Sequence, residues 1–343
     1  MKGRGAASNP PGRFTTLTHE RELPEEEAAS PRTELRIEQA REVLVDNDSP
    51  DLPFERALNP YRGCEHGCVY CYARPSHAYL GLSPGLDFET RISAKINAAE
   101  RLRAALARPG YRPKPINLGA NTDPYQPAER KLALTRRILE VLLEHHHPAS
   151  IVTKSALVLR DLDLLRAMAS KDLIVVGISI TTLDNRLAAR MEPRATAPHR
   201  RLAAIQALAE AGVPVGVFAA PMIPALNDHE LEAILTAAAA EGARFAGYTL
   251  IRLPHELKAL FREWLEAHFP ARASHVLSLI REMRGGREND PRFFTRMRGE
   301  GPYAELLAQR FRLVCKRLGL APRERIRLDT SRFRVPSAQG ELF

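Results

Sequence analysis

The stretch "CEHGCVYC", residues 64–71, places three of the four cysteines of a 343-residue chain within eight positions. CxxxCxxC on one short loop suits a metal ion or a cluster that prefers sulfur ligands. The fourth cysteine, Cys315, lies far along the chain. That distribution does not match the paired cysteines of a secreted disulfide scaffold, and a reducing compartment keeps such thiols available as ligands. Two assignments stay open on spacing alone. A structural zinc takes a fourth ligand, from His66 or His77, although His66 lies between two of the cysteines, where closing a tetrahedron is awkward. A cubane iron–sulfur cluster held by three cysteines leaves one iron with an open position, which is a place for chemistry.

After this loop, short apolar runs alternate with longer amphipathic stretches. "INLGA" (116–120), "SIVTK" (150–154), "LIVVGISI" (173–180), "VPVGVFAA" (213–220) and "FAGYTLIR" (245–252) read as strands. "AERKLALTRRILEVLLEHH", "DLDLLRAMAS", "PHRRLAAIQALAEAG" and "DHELEAILTAAAAEG" lie between them and read as helices. The alternation predicts parallel βαβ units, and without a glycine-rich dinucleotide fingerprint it favours a complete or partial barrel over a doubly wound sheet. The expected class is α/β, a partial (β/α)6 TIM-like barrel spanning residues 51–270. In such a barrel the polar residues at the C-terminal strand ends, Asn121 to Asp123, Lys154, Ser155, Ser179 and Thr181, surround the mouth where function gathers.

Residues 1–50 mix Pro, Gly, Ser and charge, and predict a flexible arm with one short helical piece near Leu35 to Ala40. Residues 271–343 predict a mainly helical, basic segment and an extended tail. They hold sixteen Lys and Arg against eight Asp and Glu, nearly the whole of the net charge of +9. A polyanionic partner such as nucleic acid fits that surplus, and so does a solvated arginine-rich helix face. No stretch approaches the ~20 apolar residues that cross a bilayer, and no apolar run follows the basic start, so no membrane contact, no secretory signal and a cytoplasmic location are expected.

With Tyr70 immediately before Cys71, the cysteine spacing resembles the signature of the radical S-adenosylmethionine (SAM) superfamily. "NPYRGCEHGCVYCYAR", "GANTDPYQPAE", "VTKSALVLRDLDLL" and "MEPRATAPHRRLAAIQALAEAGVPVGVFAAPMIPALND" are similar to successive blocks of its branch related to spore photoproduct lyase, over roughly residues 54–255. The resemblance implies a [4Fe-4S] cluster on Cys64, Cys68 and Cys71, whose fourth iron is chelated by the amino and carboxylate groups of S-adenosylmethionine. An electron from the reduced cluster then breaks a sulfonium carbon–sulfur bond, giving methionine and a 5′-deoxyadenosyl radical that abstracts hydrogen from substrate. It further implies that Tyr70 lies near the adenine, Thr122 serves the methionyl amino group, Lys154 pairs with the methionyl carboxylate and Ser179 bonds the ribose. Glu192 or Arg194 of "EPRA" helps shape the site, and a flavodoxin- or ferredoxin-type protein supplies the electron. The substrate class it implies is a nucleic acid or nucleotide. The alternatives are a peptide or small molecule modified by the same radical, or a zinc-stapled nucleic-acid-binding protein without catalysis.

The resemblance has a gap. Spore photoproduct lyase carries a hydrogen-donating cysteine just ahead of the hydroxyl position; here that residue is Asn121, a poor hydrogen donor to a carbon radical, which leaves Tyr125 as a candidate donor. Cys315 within "FRLVCKRLGL" reads as a buried apolar cysteine. Three adjacent histidines, 145–147, fan outward and cannot converge on one ion; they are expected to ease a helix dipole by their charge. Phe261 and Trp264 fit a core face. The final "QGELF" is similar to peptides with which bacterial repair proteins grip the sliding clamp, a further candidate partner.

Overall fold

The structure is a computed structural model and describes residues 3–14, 32–322 and 326–336. Among these the strands are β1 (Glu34–Glu38), β2 (Leu44–Asp46), β3 (Arg56–Leu58), β4 (Tyr61–Arg62), β5 (Arg91–Lys95), β6 (Ile116–Leu118), β7 (Ala149–Thr153), β8 (Ile174–Ser179), β9 (Val215–Met222), β10 (Phe245–Leu250) and β11 (Ala321–Pro322). One sheet runs β11-β10-β9-β8-β7-β6-β3-β2. It is parallel from β3 to β11, with β2 antiparallel at one edge. β2 and β11 are its two edges, so six main parallel strands form an open, partial barrel. All five apolar runs of the sequence are strands, and helices lie between them, including Leu134–Glu144, Leu162–Ala169, Pro198–Glu210 and Leu231–Ala240.

The period of two sorts each strand's side chains. Ile174, Val176 and Ile178 of β8 and Val215, Val217 and Ala219 of β9 join Ile205, Leu208, Ile234 and Leu235 of the outer helices in the main core. The alternate residues face the concave side, where the Phe218 ring lies against Gly177 and Gly247. A Cβ at Gly247 would stand 2.7 Å from that ring, and one at Gly177 would stand closer still. Gly177→Ala is therefore expected to cost ~1–3 kcal/mol by overpacking. Adding Phe218→Leu should recover most of it in chemical denaturation; an unshifted midpoint for the single variant would show that the ring has room to move aside.

Three expectations are corrected. The helical piece near Leu35 is instead β1, parallel to β5 from residue 91 onward, and residues 44–46 form β2. Pairing with a distant strand overrides the local polar composition of this part of the expected arm. The boundary near residue 270 falls between two packed helices, Leu257–His268 and Pro270–Glu282, where a proline in the first helical turn looks like a break. Phe261 and Trp264 sit in their shared core, as their spacing suggested. His147 carries no charge to ease a dipole: buried against Tyr111 and Phe333, it is pushed down to about 4 by burial. Cys315 is buried on the helix Gly301–Leu318, which packs outside the barrel against Leu231–Ala240. The tail "QGELF" lies outside the described residues. Among the described residues, no helix is long and apolar enough to cross a membrane.

Candidate active site at the cysteine loop

The cysteine loop leaves β4 and is held by groups far from it in sequence. The Cys64 N–H donates to the Phe88 carbonyl (2.9 Å) and the Val69 N–H to the Met191 carbonyl (3.0 Å). Arg74 is wholly buried; its Nε donates to the Cys68 carbonyl (2.8 Å), Nη1 to the Gly85 carbonyl (2.8 Å), and Nη2 pairs with Glu89 (2.5 Å). The Glu89 carboxylate also accepts the N–H groups of Gly5 and Ala6 (3.0 and 2.8 Å), which ties residues near the N-terminus to the loop. Gly67, at φ 68°, passes so near that a Cβ would lie 2.6 Å from Glu89 Oε2; both the backbone angle and the space require glycine. Arg74 thus ties the loop backbone at Cys68 to the segment around Gly85 and to Glu89, and none of its bonds uses a thiol.

Behind the loop, Glu192 gathers the ends of β7 and β8. Its buried carboxylate accepts from the hydroxyls of Tyr70 and Thr181 and from the Arg201 guanidinium, with Lys154 Nζ 3.7 Å away. Burial pushes this carboxyl up, but Arg201 and Lys154 outweigh burial and hold it down at about 2. Arg201 also donates to the carbonyls of Thr196 (2.6 Å) and Ser179 (3.0 Å). Lys154 Nζ reaches the Ala220 carbonyl (3.2 Å) and lies 5.7 Å from the centre of the Tyr70 ring. Tyr70, Lys154 and Ser179, spread over 110 residues of sequence by their numbering, therefore meet at one end of the barrel. Two cations face one carboxylate there, leaving one positive charge to be matched by an anion.

Thr122 stands beside the loop and supports it. Its hydroxyl donates to the Gly63 carbonyl (2.6 Å) and accepts from Gln126 Nε2 (3.0 Å), while Gln126 Oε1 accepts the Glu65 N–H (2.9 Å). A hydroxyl has two lone pairs, so one remains on Thr122. Asn121 is exposed, and its N–H donates to Asn59 (2.8 Å). The Tyr125 ring is buried and its hydroxyl donates to Asp161 (3.1 Å), next to Arg160. Asp123 accepts from Thr153 Oγ1 (2.7 Å) and the Lys154 N–H (2.8 Å), joining the ends of β6 and β7. Arg194 pairs with Glu65 (3.1 Å), linking the loop after β8 to the cysteine loop.

Sequence reasoning named Thr181 at the mouth but missed Arg201 and the Arg74–Glu89 pair. A signal for Arg201 existed: it shares a helix face with the buried Ala204, Ile205 and Leu208, an unusual place for a guanidinium. Arg74 and Glu89 come together only through the tertiary structure.

The thiols suit a cluster better than a single ion. Cys64, Cys68 and Cys71 are free of disulfides, and burial pushes all three up, so coordination rather than solvation must stabilise their thiolates. His66 Nδ1 faces Asp123 (3.3 Å) and His77 Nε2 the Arg91 carbonyl (3.1 Å), partners that the outer nitrogen of a ligating histidine also takes, so convergence decides against zinc. Among the described residues no three His, Cys, Asp or Glu side chains converge on one metal point. A cubane does not ask for that convergence, since each thiolate takes a different iron.

The sequence model of the radical SAM superfamily matches residues 58–238. An uncharacterized protein of Mycobacterium tuberculosis is 39% identical over 232 residues, covering 67% of this chain and 68% of that protein. One of Methanocaldococcus jannaschii is 32% identical over 173 residues, covering 50% of this chain and 62% of that protein. Among solved structures, spore photoproduct lyase complexed with dinucleoside spore photoproduct is similar in fold. Its TM-score is 0.60 at 18% identity, covering 83% of this chain and 80% of that one.

Proposed function

This chain belongs to the radical SAM superfamily and is a radical S-adenosylmethionine enzyme with a [4Fe-4S] cluster and S-adenosylmethionine as cofactors; we propose that its substrate is a nucleic acid or nucleotide. When bound, those cofactors supply a 5′-deoxyadenosyl radical by one-electron cleavage of a sulfonium carbon–sulfur bond. Cys64, Cys68 and Cys71 hold the cluster on a loop whose backbone is already restrained. Lys154 takes the methionyl carboxylate, which the surplus positive charge around Glu192 favours, and the remaining lone pair of Thr122 accepts from the methionyl amino group. Glu192 orients Tyr70 toward the adenine, and Ser179, at the end of β8, bonds the ribose. A flavodoxin- or ferredoxin-type protein delivers the electron.

The observation that carries the substrate class is the fold shared with an enzyme solved on a dinucleoside lesion, joined to a mouth whose wall includes Arg252 and Arg296. On the resemblance, Asn121 stands where spore photoproduct lyase carries its hydrogen-donating cysteine, and the Tyr125 hydroxyl donates to Asp161, so the hydrogen donor is expected to differ from that enzyme's. The test is anaerobic turnover of reconstituted, reduced protein with S-adenosylmethionine and deuterated single-stranded DNA or RNA. Deuterium is expected in the 5′-deoxyadenosine formed. Steady formation of unlabelled 5′-deoxyadenosine with every nucleic acid tried would reject that substrate class and point to a peptide or small molecule.

A further inference from the structure

Between the helices Pro270–Glu282 and Gly301–Leu318 runs a segment that the strand–helix alternation leaves unexplained. It is fastened to the barrel mouth. The Leu250 N–H at the end of β10 donates to the Met297 carbonyl (2.9 Å), and Arg284 donates to the carbonyls of Ile251 (2.8 Å) and Thr295 (3.0 Å). Arg296 forms a two-bond pair with the half-buried Asp51 (2.7 and 2.5 Å), which also accepts the Phe294 N–H (3.1 Å). So anchored, the segment still exposes Phe293 and Phe294, 47% and 63% accessible, and Phe294 keeps φ 66°, a backbone region a bulky residue seldom takes.

These aromatics end a row that begins at the cysteine loop. Tyr72, directly after Cys71, is half exposed and donates its hydroxyl to the Ala120 carbonyl just after β6. The Arg252 guanidinium lies 5.6 Å from the centre of the Tyr72 ring, and the Arg296 guanidinium 4.8 Å from that of Phe293. The two arginines are close enough that Arg296, after burial, is the main charge disfavouring Arg252. Among the described residues, Arg252 Nε is buried without a hydrogen-bond partner. Asp51 already answers Arg296, so an anion placed against Arg252 would satisfy the orphaned donor and balance the charge left over.

We propose that Tyr72, Arg252, Arg296, Phe293 and Phe294 form a binding surface for single-stranded nucleic acid, which guides one nucleotide toward the cysteine loop. The proposal rests on the nucleic-acid reading above and adds where and in what form the strand binds. Aromatic faces alternating with guanidinium groups match a strand's own alternation of stackable bases and phosphates. A duplex keeps its base faces covered and offers nothing to the exposed phenylalanines.

Fluorescence anisotropy of a 5′-fluorescein-labelled oligothymidylate of about twelve nucleotides tests this with the reconstituted protein, anaerobically and without reductant. Phe293→Ala/Phe294→Ala is expected to weaken binding at least about tenfold, since both stacking faces are lost, with no change in thermal midpoint. Phe293→Tyr/Phe294→Tyr should bind like wild type. Unchanged affinity in the alanine variant would overturn the proposal, as would wild-type protein that ignores the oligonucleotide or binds duplex and heparin equally well. Wild-type 5′-deoxyadenosine formation without nucleic acid is measured alongside: its absence would count against the radical-enzyme assignment, and its presence beside a failed binding test against the surface alone.

Discussion

Cys68→Ala protein, reconstituted anaerobically with iron and sulfide, is expected to form no 5′-deoxyadenosine from S-adenosylmethionine and to lack the brown absorption of the wild type. The loop itself should survive the change. Its restraints act on backbone groups: Val69 N–H on Met191, and the Cys68 carbonyl on Arg74. Alanine keeps all of them. What disappears is one of three sulfurs, and among the described residues no group of His, Cys, Asp or Glu side chains converges on one metal point to replace it. The loss should exceed the roughly 10–100-fold that follows removal of an outer partner of a metal ligand. Thermal unfolding of the metal-free proteins separates this from misfolding, since the two midpoints should agree closely. Turnover that persists in Cys68→Ala would mean that the cysteine loop is not the seat of the chemistry.

Arg201→Met should be the most destabilising single change at the site. Arg201 and Glu192 are both buried, and removing the guanidinium leaves a carboxylate with only Lys154 at 3.7 Å to offset its charge. Breaking one side of a buried pair costs ~3–5 kcal/mol. The carbonyls of Thr196 and Ser179 lose their donor as well. Adding Glu192→Gln should recover part of the loss, because the amide keeps an acceptor for Tyr70 and Thr181 without an uncompensated charge. The pH dependence has a definite sign. The folded-state value of Glu192 is depressed from 4.5 to about 2. Its stabilisation is thus present above 4.5 and is lost as pH falls from there toward 2. Denaturant midpoints measured from pH 5 downward should therefore fall faster for wild type than for the double variant. A loss below about 1 kcal/mol in Arg201→Met would place Glu192 in contact with water instead.

Much of this was readable beforehand. Five strands and the helices between them follow from a period of two against 3.6, a local property that each segment carries wherever it goes. The three cysteines are equally local, since eight consecutive residues contain the whole motif. Residues such as Lys154 and Ser179 were readable one step removed, as polar groups at strand ends. β1 was not, because its exposed Leu35 and Ile37 give no burial signal and only pairing with β5 makes it a strand. The row from Tyr72 to Phe294 was hidden for the same reason: "PRFFTRM" is irregular chain with no periodicity to interpret.

Residue order alone put three thiols on one loop of an alternating strand–helix chain, because period and spacing are short-range quantities. Folding decided which groups answer that loop. Arg74 meets Glu89, Arg201 meets Glu192, and Arg296 meets Asp51 across gaps of 15, 9 and 245 residues. Each pairing exists because burial makes an unmatched charge costly, and where a partner is found depends on how the layers pack rather than on any distance along the chain.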